Sequence, residues 1–251
     1  MSDTRPLLAT LLLETSHLDL PGVLRHPHTL PVRQLLETVP GARGTIVVGP
    51  DYRAVASAYV ASAAAVDAAE IELITANCGF AIAYQDDVAA AVEAPVALSS
   101  LLLVPMLFRV YGRRLGVVTF DASQLDEPRR HAAGWPAAGP PVVDVQGSAA
   151  WRRLASDGQP KLNLSKLRDD LFGAVAPFAQ RHRLRALLLE CTAMSPFRSD
   201  LADRTGARVF DLIGLLEFLL GLPLIEAFEA HGANKSNGAS VSRKSKENHR
   251  A

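Results

Sequence analysis

Short apolar runs punctuate this chain, and each gives way to a stretch whose composition suits a helix. The runs at residues 7–13, 45–48, 71–75, 115–120, 140–145, 186–190 and 208–210 are rich in Leu, Ile and Val and read as strands. Between them lie helical stretches. Asp51 is placed to cap an alanine-rich helix to about residue 69, and residues 80–92 follow with apolar side chains at helical spacing. Ser99 or Ser100 can cap a helix ending near Gly112; further helices are expected over 148–155, 165–181 and 212–220. Unbroken apolar runs alternating with helices demand strands covered on both faces, hence mostly parallel sheets.

The pattern occurs twice. Glu14-Thr15-Ser16-His17-Leu18-Asp19-Leu20-Pro21 aligns with Asp121-Ala122-Ser123-Gln124-Leu125-Asp126-Glu127-Pro128, and each segment follows a strand run. The chain has two cysteines, Cys78 and Cys191, and each ends a later strand run at a nearly matched distance from the repeat. The expected fold class is therefore α/β, with two pseudo-symmetric α/β domains of mostly parallel sheet and an active site in the cleft between them. The first domain is assigned residues 1–110 plus 212–231 and carries Cys78; the second is 111–211 and carries Cys191. Residues 232–251 are almost devoid of apolar side chains and are expected to be a disordered tail.

Composition narrows the function classes. Hydrophobic residues make up 49% of the 251, enough for a sizeable core, and the formal net charge is zero. A balanced charge gives no general attraction to nucleic acid or to an anionic membrane. The apolar run at 7–13 is too short for a signal-peptide core or a membrane span. A cytoplasmic protein with free thiols is the expectation. His26-Pro27-His28 lacks a third ligand at useful spacing for a metal, and Gly41-Ala42-Arg43-Gly44 lacks the pattern of a phosphate loop.

In parallel α/β sheets, ligands bind beyond the carboxyl ends of the strands. Two strand-end thiols from facing halves would flank one cleft there. A thiolate on one face of a bound carbon acid can remove its proton, and a thiol on the other face can return one, inverting the centre. A helix start after each cysteine would favour the thiolate, and backbone N–H groups there could hold a carboxylate or an enediolate-like intermediate. Asn77, Gly79 and Thr192 are candidate substrate contacts by proximity to the cysteines, and Thr119 and Ser16 by topology.

The segment Thr75-Ala76-Asn77-Cys78-Gly79-Phe80, the segment Glu190-Cys191-Thr192-Ala193-Met194 and the strand Leu115-Gly116-Val117-Val118-Thr119 together resemble the cofactor-independent aspartate/glutamate racemase superfamily. That superfamily includes hydantoin racemases, arylmalonate decarboxylase and maleate isomerase relatives. The resemblance extends from about residue 7 to 220. It implies catalytic roles for Cys78 and Cys191, no cofactor and no metal, a small-molecule carboxylate substrate and, by family habit, a homodimer. The implied activity is racemisation or epimerisation beside a carboxylate. Same-fold alternatives are a decarboxylase, a maleate-type cis-trans isomerase, or a binding protein without turnover. The chain departs from one branch's pattern at Val23, where an acidic residue is usual, and at Ala193-Met194-Ser195-Pro196, where Asn-Met-Pro-Pro is usual. Both lie in expected substrate-facing loops.

Overall fold

The computed structural model describes residues 5–15, 18–68, 70–156 and 162–222. Ser16, Ala69 and the 232–251 tail lie outside them. The described residues form two four-stranded sheets, every pairing parallel. In the first, β1 (Leu7–Leu12) lies between β2 (Arg33–Thr38) and β3 (Ile71–Ala76), with β4 (Val96–Ala97) at the far edge. In the second, β5 (Leu115–Thr119) lies between β6 (Val142–Asp144) and β7 (Ala186–Leu189), with β8 (Arg208–Phe210) at the edge. The strand order, second-first-third-fourth, is the same in both sheets. The α/β class and the repeated arrangement follow the expectation.

The central strands are buried on both faces because helices cover both sides. Every residue of β5 and β7 is buried, as are all but one of β1 and β3. The helices of the first half are α1 (Gly44–Val47), α2 (Ala56–Val66), α3 (Gln85–Ala89) and α4 (Val104–Tyr111); those that follow are α5 (Glu127–Ala132), α6 (Ala149–Arg152), α7 (Leu164–Arg181), α8 (Arg198–Thr205) and α9 (Leu212–Leu219). The longest, α7, starts where the Asn163 side chain accepts the Lys166 N–H, and it buries Leu167, Leu171, Val175 and Phe178 along one stripe. The last, α9, is capped by Asp211 and packs Leu212, Leu215 and Leu216 with Leu8 and Leu73 of the first sheet and with Leu24 of the β1–β2 connection. One continuous apolar core runs through both halves. No helix among the described residues is long and apolar enough to cross a membrane.

Several local expectations are corrected. The run at 45–48 is not a strand: it lies mostly in α1, despite its β-branched residues. Tertiary contacts override propensity there, because the carbonyls of Val47, Val48 and Gly49, which a helix end leaves unpaired, accept from the Arg129 guanidinium of α5. The second strand is instead β2, an edge strand with Leu35 and Leu36 exposed and no apolar run to betray it. Asp51 makes no capping bond with its side chain; a 3₁₀ turn, Tyr52–Val55, intervenes before α2. The expected 80–92 helix is a fully buried 3₁₀ turn, Gly79–Tyr84, followed by the short α3.

Candidate active site

The site begins where β3 and β7 end. After β3, the Asn77 N–H donates to the Leu11 carbonyl (3.1 Å) and its side-chain Oδ1 accepts the Leu13 N–H (2.9 Å). After β7, the Glu190 N–H donates to the Val118 carbonyl (2.8 Å) and its Oε2 accepts the Phe120 N–H (3.0 Å). Leu11 and Leu13 match Val118 and Phe120 at the same offset that aligns Glu14-Thr15-Ser16 with Asp121-Ala122-Ser123. Asn77 and Glu190 are thus equivalent residues of the repeat. The next residue in each half is the cysteine, extended in backbone, and a six-residue 3₁₀ turn follows, Gly79–Tyr84 or Thr192–Phe197.

The two strand ends meet across the halves. The Thr192 hydroxyl donates to the Asn77 carbonyl, and the Ser100 hydroxyl to that of Leu189 (2.7 Å). Gly79 lies so close to Glu190 that a Cβ there would stand 2.2 Å from the Glu190 carbonyl oxygen and 2.3 Å from Oε1. Any side chain at that position would force the halves apart. Gly22, in the left-handed region at φ +98°, packs on Pro196, where a Cβ would stand 3.0 Å from the proline Cα. The two loops that depart from the branch pattern therefore touch each other.

Both cysteines line one cleft. Asn77, Thr192 and Glu190 line it with them. The remaining lining is mostly apolar, including Leu13, Val23, Val48, Phe80, Phe120 and Leu154. Arg25 is the one basic side chain among the described lining residues.

Burial governs the electrostatics. Both thiols are free and partly accessible from the cleft, yet protein surrounds most of each. Burial, and then the Glu190 charge, push Cys78 up to about 12, against N–H groups of Phe80 and Ala81 and the positive Arg129. Cys191 is also held well above an ordinary thiol, by burial, by Glu190 and by Cys78. The expected lowering by a helix start does not prevail: the turns are short 3₁₀ segments, and desolvation outweighs their N–H groups. Alkylation by iodoacetamide at about pH 8 is accordingly expected to be at least tenfold slower than for a free thiol, rising steeply above about pH 9. Rapid labelling of either cysteine in native protein, followed by mass spectrometry, would contradict this.

Strand-end position alone does not single out Glu190, although a carboxylate closing an otherwise apolar strand is a visible signal. It is 1% exposed, and its Oε2 also accepts the Thr119 hydroxyl (2.8 Å). Burial pushes its carboxyl up to about 7, against the Phe120 and Thr119 hydrogen bonds and Arg129. The native state thus binds a proton more tightly than the unfolded chain, so this group's contribution to stability falls as pH rises from about 4.5 to about 7. Glu190→Gln keeps an oxygen for both hydrogen bonds and removes the buried charge. It is expected to raise the melting temperature of the ligand-free protein at about pH 8 and to change it little at about pH 5. A lower melting temperature at the higher pH would refute that account.

Of the residues singled out in the sequence, the fold brings Asn77, Cys78, Cys191 and Thr192 to the cleft. Thr119 and Gly79 stand one layer back, both against Glu190. Sequence position does not single out Arg129 either. It is fully buried, reaches from α5 to the α1 carbonyls, and stacks 3.9 Å over the Tyr52 ring.

The two parallel sheets, packed to either side of this cleft, give a fold shared with solved racemases and with arylmalonate decarboxylase. A glycine-to-cysteine variant of arylmalonate decarboxylase matches at a TM-score of 0.55, with 14% identity over 86% of this chain and 94% of that one. Allantoin racemase from Pseudomonas fluorescens matches at 0.54, with 14% identity, 96% of this chain and all of that one. Picrophilus torridus aspartate racemase also matches at 0.54, with 13% identity over 88% and 97%. No family model matches the chain. Among curated proteins, it is 28% identical over 158 residues to the dimethylsulfoniopropionate lyase of Durusdinium sp. clade D, covering 60% of this chain and 52% of that protein. It is 25% identical over 179 residues to dimethylsulfoniopropionate lyase 5 of Emiliania huxleyi (strain CCMP1516), covering 61% and 34%. The chain spans about half the length of these curated relatives or less.

Proposed function

We propose that the protein is a cofactor-independent enzyme that moves a proton at the carbon beside a carboxylate, with Cys78 and Cys191 as its acid–base pair. The observation that carries this is the placement of two free thiols at equivalent strand ends of two repeated halves, both lining one cleft. In the step itself, a thiolate on one face takes the α-proton and becomes a thiol, leaving an enediolate-like anion. The thiol on the other face gives up its proton to the same carbon and becomes a thiolate. The outcome is racemisation or epimerisation. High thiol pKa values leave little thiolate in the empty cleft, and they also make each thiolate a strong base once formed.

A second reading has specific support from the curated relatives, both named as lyases of a β-sulfonium carboxylate. The first step is the same. The electron pair left at the α-carbon then forms the α,β double bond while the bond from the β-carbon to sulfur breaks. The thioether leaves neutral, with that bond's electrons, and one thiolate suffices as base, becoming a thiol. Proton NMR in deuterated water tests both readings, on a panel of amino acids, hydantoins, malonates and dimethylsulfoniopropionate. α-Deuterium incorporation without loss of the β-substituent supports racemisation; release of dimethyl sulfide supports the lyase. No exchange and no product across the panel would leave a binding protein.

A further inference from the structure

We infer that the Glu190 carboxylate is the counter-ion for a methylated onium group on the substrate, and so determines specificity. This rests on the reading of the cleft as a small-carboxylate site. Glu190 is 1% exposed and lines the cleft beside both cysteines. Its Oε2 is occupied by the Thr119 hydroxyl and the Phe120 N–H; its Oε1 faces Gly79 and accepts no hydrogen bond from a described residue. The repeat sharpens the point. The equivalent residue of the first half, Asn77, makes the same strand-end bond with an uncharged amide, so holding the strand end does not require a charge.

A carboxylate buried in a mostly apolar cleft is poorly solvated, and either a proton or a cation relieves it. The kind of cation follows from the other acceptors. The Asn77 carbonyl is taken by the Thr192 hydroxyl, Asn77 Oδ1 by the Leu13 N–H, and Thr15 Oγ1 by the Gly44 N–H. A primary ammonium brings three N–H donors to a cleft with few acceptors to spare. A sulfonium or fully methylated ammonium brings none. Its charge is spread over methyl groups that suit Leu13, Val48 and Leu154 and the Phe80 and Phe120 rings. Such a cation would also offset the Glu190 charge that helps hold both thiols in the protonated form, which links recognition to activation.

The test is a ligand-observed NMR titration of wild type and Glu190→Gln. The probes are dimethylsulfoniopropionate, β-alanine betaine and isocaproate, the last an isostere of the first with a neutral CH in place of the sulfonium. Wild type is expected to bind the onium acids at least about tenfold more tightly than isocaproate, and Glu190→Gln to bind all three within about threefold. Binding of the sulfonium but not the betaine would support the assignment and narrow it to sulfonium. Wild type itself supplies a second test that needs no variant. The charged or titratable groups around Glu190 are the Cys78 and Cys191 thiols, held neutral, Arg25 in the same cleft lining, and Arg129, whose fixed positive charge acts on it. The onium preference should therefore shrink as pH falls from about 8 to about 5.5 and the carboxylate protonates. Equal binding of isocaproate, no saturable onium binding, a preference that survives in Glu190→Gln, or one indifferent to pH would each overturn the inference. The same spectra report α-deuterium. Preference without exchange or elimination removes the catalytic reading and leaves this one standing; exchange on isocaproate without preference does the reverse.

Discussion

Alanine at Cys78 or at Cys191 is expected to lower α-proton exchange by a factor of about 10² to 10⁴, the usual worth of a positioned acid or base. Folding should hardly register either change, since each cysteine is half-buried and its strand end is fixed by backbone bonds and by Asn77 or Glu190. A stability loss of about 1 kcal/mol is the scale for such a change. The two single variants also separate the outcomes proposed for the site. Racemisation needs a proton donor and a proton acceptor on opposite faces, so either variant should stop inversion. Elimination needs one base, so one variant should lose activity and the other keep a substantial part of it. Exchange rates in deuterated water, with melting temperatures measured alongside, decide the matter. Wild-type exchange in both variants would end the proposal that these thiols do the chemistry.

Arg129→Met is expected to be the most damaging single change to the fold. The guanidinium is fully buried and donates to the carbonyls of Gln124 (2.7 Å), Val47 (3.1 Å), Val48 (3.2 Å) and Gly49 (2.9 Å), while Tyr52 covers its face. Asp126 lies 3.6 Å away, partly exposed. Methionine fills similar volume but leaves those carbonyls without a donor, at a cost of about 3–5 kcal/mol. For a chain of this size that corresponds to a fall of about 10 °C in melting temperature. The effect should reach the site as well. Val48 lines the cleft, and the positive charge of Arg129 opposes the upward shifts of Cys78 and Glu190. A variant melting within about 2 °C of wild type would show that the α1 carbonyls find other partners, water included.

The strands at the centre of each sheet were legible because burial on both faces leaves an unbroken apolar run, as in β1, β3, β5 and β7. The edge strand β2 was not, since half its surface faces water and its residues are mixed. Residues 45–48 misled for the opposite reason. Their side chains favour a strand, but the conformation is settled by Arg129, which lies far away in sequence. In the site, the cysteines were legible from their strand-end positions. Glu190 was passed over because one charge after an apolar run is ordinarily a solvated strand end; here a glycine of the other half lies against it.

The sequence alone determined the repeated α/β plan and the end of the sheet at which the two cysteines lie, because apolar periodicity and strand termination are local properties. Only the tertiary structure decided the environment of those thiols. Their protonation depends on burial and on charges brought from the other half of the chain, and no local pattern encodes the low dielectric that raises Cys78, Cys191 and Glu190 together.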